Sequence, residues 1–141
     1  MKNAASAETS KASANPSFLS AAPTFLVDDV GTTAEWYEKH LGFAVSPFPK
    51  NKPYVFASLQ RDGVEIMLLR TEGYQKPEIS RPGGAWDAYI RMRSVRQFYE
   101  SVRQKVSIHL ELVKQSYGDW EFEVRDPNGY ILVFGEIPDD E

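Results

Sequence analysis

Short runs of alternating apolar and polar positions fill most of the chain, and two stretches interrupt them with helical spacing. Residues 18–27 are apolar and end in β-formers, and Asp28-Asp29-Val30-Gly31 stops them with turn chemistry, which predicts a strand. Trp36, Tyr37 and Leu41 then share one face of a helix that Thr32 or Thr33 would cap and Gly42 would end in a left-handed conformation. Ala44–Phe48, 54–60 and 64–69 read as three strands, the last two joined by the hairpin signal Arg61-Asp62-Gly63. Residues 71–84, with Pro77, Pro82 and paired glycines, read as a linker.

After the linker the pattern starts again. Residues 86–92 predict a strand and 95–105 a helix with Phe98, Tyr99 and Val102 on one face. Strands follow at 108–113, 120–124 and 130–134, the last entered through the turn Asp126-Pro127-Asn128-Gly129. The repetition keeps register: Met92 and Val95 lie 65 positions after Val27 and Val30, and Gly129 lies 66 after Gly63. Two tandem βαβββ modules are therefore expected, an α+β fold, and a lone module would leave one sheet face open to water. The expected layout is a tail at 1–17, module one at 18–70, the linker at 71–84, module two at 85–136 and an acidic end at 137–141.

Composition narrows the chemistry. The 141 residues hold 16 Lys plus Arg against 20 Asp plus Glu and contain no basic run, which argues against a nucleic-acid partner. The tail has no apolar run able to serve as a signal core or membrane span, so a cytoplasmic protein without a membrane partner is expected. With no Cys, thiolate catalysis, disulfides and iron-sulfur clusters are excluded, and only His40 and His109 could supply imidazole. His40 is expected to cap the end of the first helix and His109 to sit on the polar side of its strand. No nucleophile-base pair or phosphate-binding glycine loop is visible, so no catalytic residue is assigned.

Val27-Asp28-Asp29-Val30, Trp36-Tyr37 with Leu41-Gly42-Phe43, and the run from Phe122 to Gly129 together resemble the vicinal oxygen chelate superfamily over residues 20–136. That group includes glyoxalases, extradiol dioxygenases, fosfomycin-modifying enzymes and bleomycin-binding resistance proteins. The resemblance implies a curved mixed sheet around a cleft, and in the enzymes a divalent metal held by one residue on the first and last strand of each module. Those positions fall here on Ala22, Met67, Asp87 and Val133, of which only Asp87 is a hard ligand, so neither metal nor cofactor is expected. The chain looks nearer to the metal-free bleomycin-resistance type, also through Ala21-Ala22-Pro23. That branch implies binding without reaction, usually as dimers with clefts between subunits.

Strand alternation anchored on those positions places Thr24, Leu26, Glu65, Met67, Asp87, Tyr89, Arg91 and Val133 on the cleft face. Trp86 and Trp120 stand at strand entrances where an indole can cover the cleft mouth. Glu65 and Asp87 would attract a cationic ligand, and the aromatic rims a planar one; the expected partner is a small organic molecule held by a homodimer. The same face could instead form a second core or an interface. Two other readings stay open: an enzyme of the superfamily with its metal relocated to Glu65, Asp87 and His109, and an accessory domain that only binds a protein. Glu136 is expected to be solvated.

Overall fold

The computed structural model describes residues 15–79 and 85–138. The parts of the tail, linker and acidic end expected at 1–14, 80–84 (with Pro82, Gly83 and Gly84) and 139–141 lie outside them. The element order is β1 (Thr24–Val27), α1 (Val30–Leu41), β2 (Ala44–Phe48), β3 (Phe56–Arg61), β4 (Val64–Arg70), β5 (Ala88–Arg91), α2 (Val95–Val102), β6 (Ser107–Lys114), β7 (Trp120–Arg125) and β8 (Ile131–Glu136). Two βαβββ modules are present, each a four-stranded sheet, with strand orders β1-β4-β3-β2 and β5-β8-β7-β6. In each, the first strand runs parallel to the last and the other pairs are antiparallel. No described helix is long and apolar enough to cross a membrane.

Local chemistry explains where the elements begin and end. Asp29, in an extended conformation, accepts a hydrogen bond from Thr32 N and so caps α1 in place of the expected threonines. At the other end Gly42 takes φ 74°. The Leu41 carbonyl there is satisfied by Arg61 Nη1 at 2.8 Å, not by His40, whose Nδ1 is buried without a hydrogen-bond partner. β1 starts six residues later than the apolar run suggests, because Phe18 and Leu19 are fully exposed and touch no sheet. Ser94, at the head of α2, has φ 60° and makes no side-chain cap. The last residue of β8 supplies the cap: Glu136 accepts from Ser94 N at 3.0 Å and Val95 N at 2.9 Å, so it is engaged where a solvated side chain was expected.

Each helix covers one face of its sheet, through Phe25, Val27, Ile66 and Leu68 in module one and Phe122, Val124, Leu132 and Phe134 in module two. Burying these side chains stabilises the fold by about 1.5–3 kcal/mol each. The modules join through side chains, and among the described residues no strand of one sheet pairs with the other. Phe25 stacks on Tyr130 at 4.1 Å, the Tyr130 hydroxyl donates to Leu26 O, the Tyr37 hydroxyl to Asp126, and Asn128 Nδ2 to Thr33 Oγ1. The opposite face of each sheet carries no helix, although on the second sheet Ile131, Val133 and Glu121 of that face are themselves buried.

Candidate functional site

Cross-strand partners share a face, so the registers sort the open faces into rows. On the first sheet Leu26, Leu69, Phe56 and Phe48 form one apolar row across all four strands, with Leu69 42% and Phe48 64% exposed. Beside it runs a mixed row, Thr24, Met67, Ser58 and Ser46, in which Thr24 Oγ1 lies 3.9 Å from Met67 Sδ. Glu65 and Gln60 form the next row. Ser58 Oγ donates to Glu65 Oε2 at 2.6 Å and accepts from Gln60 Nε2 at 3.1 Å.

The second sheet's open face is different in kind. Arg91, Gly135 and Glu121 form one row, and Tyr89, Val133 and Glu123 the next. Glu121 is 1% exposed, and its carboxylate accepts from Tyr89 Oη at 2.6 Å and Tyr117 Oη at 2.8 and 2.9 Å. A Cβ on Gly135 would overlap the Tyr89 hydroxyl, so the missing side chain is what lets Tyr89 reach Glu121. Burial, then the bond to Glu121, raises both phenols: Tyr117 to about 12 and Tyr89 further. Arg91 is matched by Asp119 Oδ2 at 2.7 Å and lies over the Tyr89 ring at 5.0 Å. Burial pushes the Glu123 carboxyl above its usual range; His109 opposes the rise and the neighbouring Glu121 charge adds to it.

The expected site residues do not meet in a single cleft within the chain. Thr24, Leu26, Glu65 and Met67 stand on the first open face and Tyr89 and Arg91 on the second; Val133 shares the second face but is fully buried, so it does not line a cleft as expected. Glu65 and Asp87 do line one groove of about 340 Å³, where the start of β4 approaches β5. Both carboxylates are already engaged there, Asp87 Oδ2 by Ile131 N at 2.8 Å and by Lys76 Nζ at 3.7 Å. Trp86 is half exposed and meets Tyr89 edge-on at 5.9 Å. Trp120 lies on the helix side of β7, packed against the core beneath the Arg96 guanidinium, because it shares the parity of Phe122. His109 is on β6 beside Arg125 and Glu123, away from the groove that holds Glu65 and Asp87, so those three do not form a relocated metal site.

Of the positions implied as metal ligands, Ala22, Met67 and Val133 have no hard donor and Asp87 is tied to backbone and lysine. These residues do not fit a divalent cation. Sequence reasoning missed Glu121, Glu123, Tyr117 and Ser58. Their signal is the alternation Trp120-Glu121-Phe122-Glu123-Val124, which a strand with an ordinary solvated face also shows.

The paired βαβββ modules and their motifs define the class. The glyoxalase/bleomycin resistance protein/dioxygenase superfamily model matches residues 21–134, and the chain belongs to that superfamily. Among solved structures it is similar to a glyoxalase-related enzyme from Clostridium phytofermentans, at 14% identity and TM-score 0.70, covering 89% of this chain and 99% of that one. It is also similar to the bleomycin-binding protein from bleomycin-producing Streptomyces verticillus, solved with copper(II)-bleomycin, at 21% identity and TM-score 0.63, covering 89% and 100%. TioX from Micromonospora sp. ML1 is similar at 18% identity and TM-score 0.65, covering 84% and 100%. At these identities the likeness is one of fold. No curated protein matches the chain.

Proposed function

We propose that this protein binds a small organic ligand without transforming it, and that two copies together form the binding surface. The observation that carries this reading is the contrast between the two open faces: an exposed apolar row on one sheet and buried carboxylates set among aromatic rings on the other. An apolar shelf with a few convergent polar groups suits an organic molecule. Leu69 and Phe48 stay exposed within one chain, and a second copy laid across that face would cover them and bring the two kinds of face together. Thr24, Leu26 and Met67 are the ligand contacts on the first face, and Tyr89 and Trp86 those on the second. The bleomycin-binding relative supports an antibiotic-like ligand as the first class to test.

The experiment is titration calorimetry of the full chain against glycopeptide and aromatic peptide antibiotics. Saturable binding is expected, and no heat at high micromolar concentration overturns the reading. Light-scattering chromatography should give twice the monomer mass. Metal analysis of protein purified without chelator guards against the enzymatic alternative, since stoichiometric zinc, nickel, manganese or iron would reverse the conclusion.

A further inference from the structure

A second groove lies on the helix side of the sheets, where the end of α1 and the β3–β4 hairpin of module one meet β5 and α2 of module two. It holds about 540 Å³, within the range of small-molecule pockets. Buried Leu41, Phe43 and Phe134 form its floor, and half-buried Ile90, Met92 and Phe98 its walls. None of the ligand contacts assigned above to the open sheet faces borders it.

The charge at this groove runs against that of the chain. The formal net charge of the protein is -4, yet Arg61, Arg91 and Arg93 border the groove, and Asp62 is the only acid among its described lining residues. Arg91 is spent on Asp119 at 2.7 Å. Arg61 is held in place, because its Nη1 donates to Leu41 O at 2.8 Å and its guanidinium lies over the Phe98 ring at 5.5 Å. Its Nε stands 3.9 Å from Asp62, beyond hydrogen-bond reach, and the Asp62 side chain is 91% exposed. No described carboxylate pairs with Arg93.

A guanidinium cannot shed its charge, and Arg61 has five donors of which one is used on Leu41. Arg61 and Arg93 against the single Asp62 leave a surplus of one positive charge beside an apolar floor. One carboxylate matches that surplus and the planar fork of a guanidinium, whereas a doubly charged phosphate would stay undercompensated. The floor and walls suit an aromatic or alkyl body.

We propose that this groove binds a small amphipathic carboxylate, its apolar body against Ile90, Met92 and Phe98 and its carboxylate on Arg61 and Arg93. Arg61 is anchored before the ligand arrives, so little side-chain freedom is lost on binding. The site is independent of the ligand read for the opposite faces.

The test titrates 4-phenylbutyrate and its neutral isostere 4-phenylbutanamide into the full chain, followed by amide NMR. The acid should bind about tenfold more tightly, the scale of one hydrogen bond to a charged group, with shifts centred on Leu41, Ile90 and Phe98. Arg93→Gln, a change at an exposed side chain, should remove most of that preference. Asp62→Asn should enlarge it by deleting the competing acid, and asparagine tolerates the φ of 53° at that position. Should one variant fail to fold, the other decides. Equal affinity of the two probes, shifts centred on the open sheet faces, a preference unchanged by either variant, or no binding of the acid up to its solubility limit overturns the proposal.

Discussion

The Tyr37 hydroxyl, on the helix of module one, donates at 2.6 Å to Asp126 Oδ2 in the hairpin turn of module two. Asp126 is buried and also accepts from the backbone of Asn128 and Tyr130, so one carboxylate both shapes its own turn and fastens it to the other module. Burial raises the Asp126 carboxyl above its usual range, and the three donors oppose that rise. Tyr37→Phe deletes one donor and keeps the ring, so it should cost about 1.5–3 kcal/mol, the scale of a hydrogen bond to a charged group. Urea denaturation measures this, and a loss below about 0.5 kcal/mol would show that the modules are held by the apolar core without this bond.

Glu136 reaches from the end of β8 to the amides of Ser94 and Val95 at the head of α2, where no local side chain caps the helix. Glu136→Ala should destabilise by about 1–2 kcal/mol, the cost of losing a cap and a favourable charge at a helix N-terminus. Ser94→Ala should change little, because its hydroxyl makes no capping bond. Thermal melts of the two variants decide the matter, and equal melting temperatures would contradict it.

The architecture was readable in the chain because its signals are local: period-2 strands, a Gly42 helix end and the Asp-Pro-Asn-Gly turn each act within a few residues. What escaped depends on contacts between distant segments. Nothing near Glu136 announces that Ser94 will need a cap. The choice of Arg61 over His40 at the end of α1 follows from how β3 lies beside that helix. Asp87 was legible as a carboxylate at a strand entrance, but its bond to Ile131 N requires knowing that β5 lies beside β8. The burial of Glu121 and Glu123 was hidden for a different reason. Alternation tells which residues share a face and does not tell whether water reaches it, and here Tyr89 and Tyr117 close over Glu121 from elsewhere in the fold.

Gly135 is the position where that closure is most easily disturbed. An added Cβ would collide with the Tyr89 hydroxyl oxygen and press on Glu121 Cγ at 3.2 Å, so the phenol must swing away and leave a buried carboxylate short of a donor. Gly135→Ala should therefore destabilise by roughly 1–3 kcal/mol, although alanine usually favours a strand over glycine. Pairing it with Tyr89→Phe should give much less than the sum of the two single losses, because both remove the same bond. Full additivity in denaturant titrations would mean that the methyl group is accommodated without moving Tyr89.

Alkaline stability reports on a different group. Burial raises the Tyr130 hydroxyl to about 12, against about 10 for an unfolded tyrosine, and the hydroxyl donates to Leu26 O across the module boundary. The folded value lies above the unfolded one, so the stabilisation is fully present below about pH 10. Between about pH 10 and 12 the unfolded chain releases a proton that the folded chain keeps, and stability falls by up to about 1.4 kcal/mol per pH unit from this residue. Tyr130→Phe should start from a lower stability at pH 8, through loss of the Leu26 bond, and then decline less steeply than the wild type above about pH 10. Urea titrations at several pH values from 8 to 11.5 would measure both slopes. Parallel declines would show that Tyr130 ionises as readily in the folded chain as in the unfolded one.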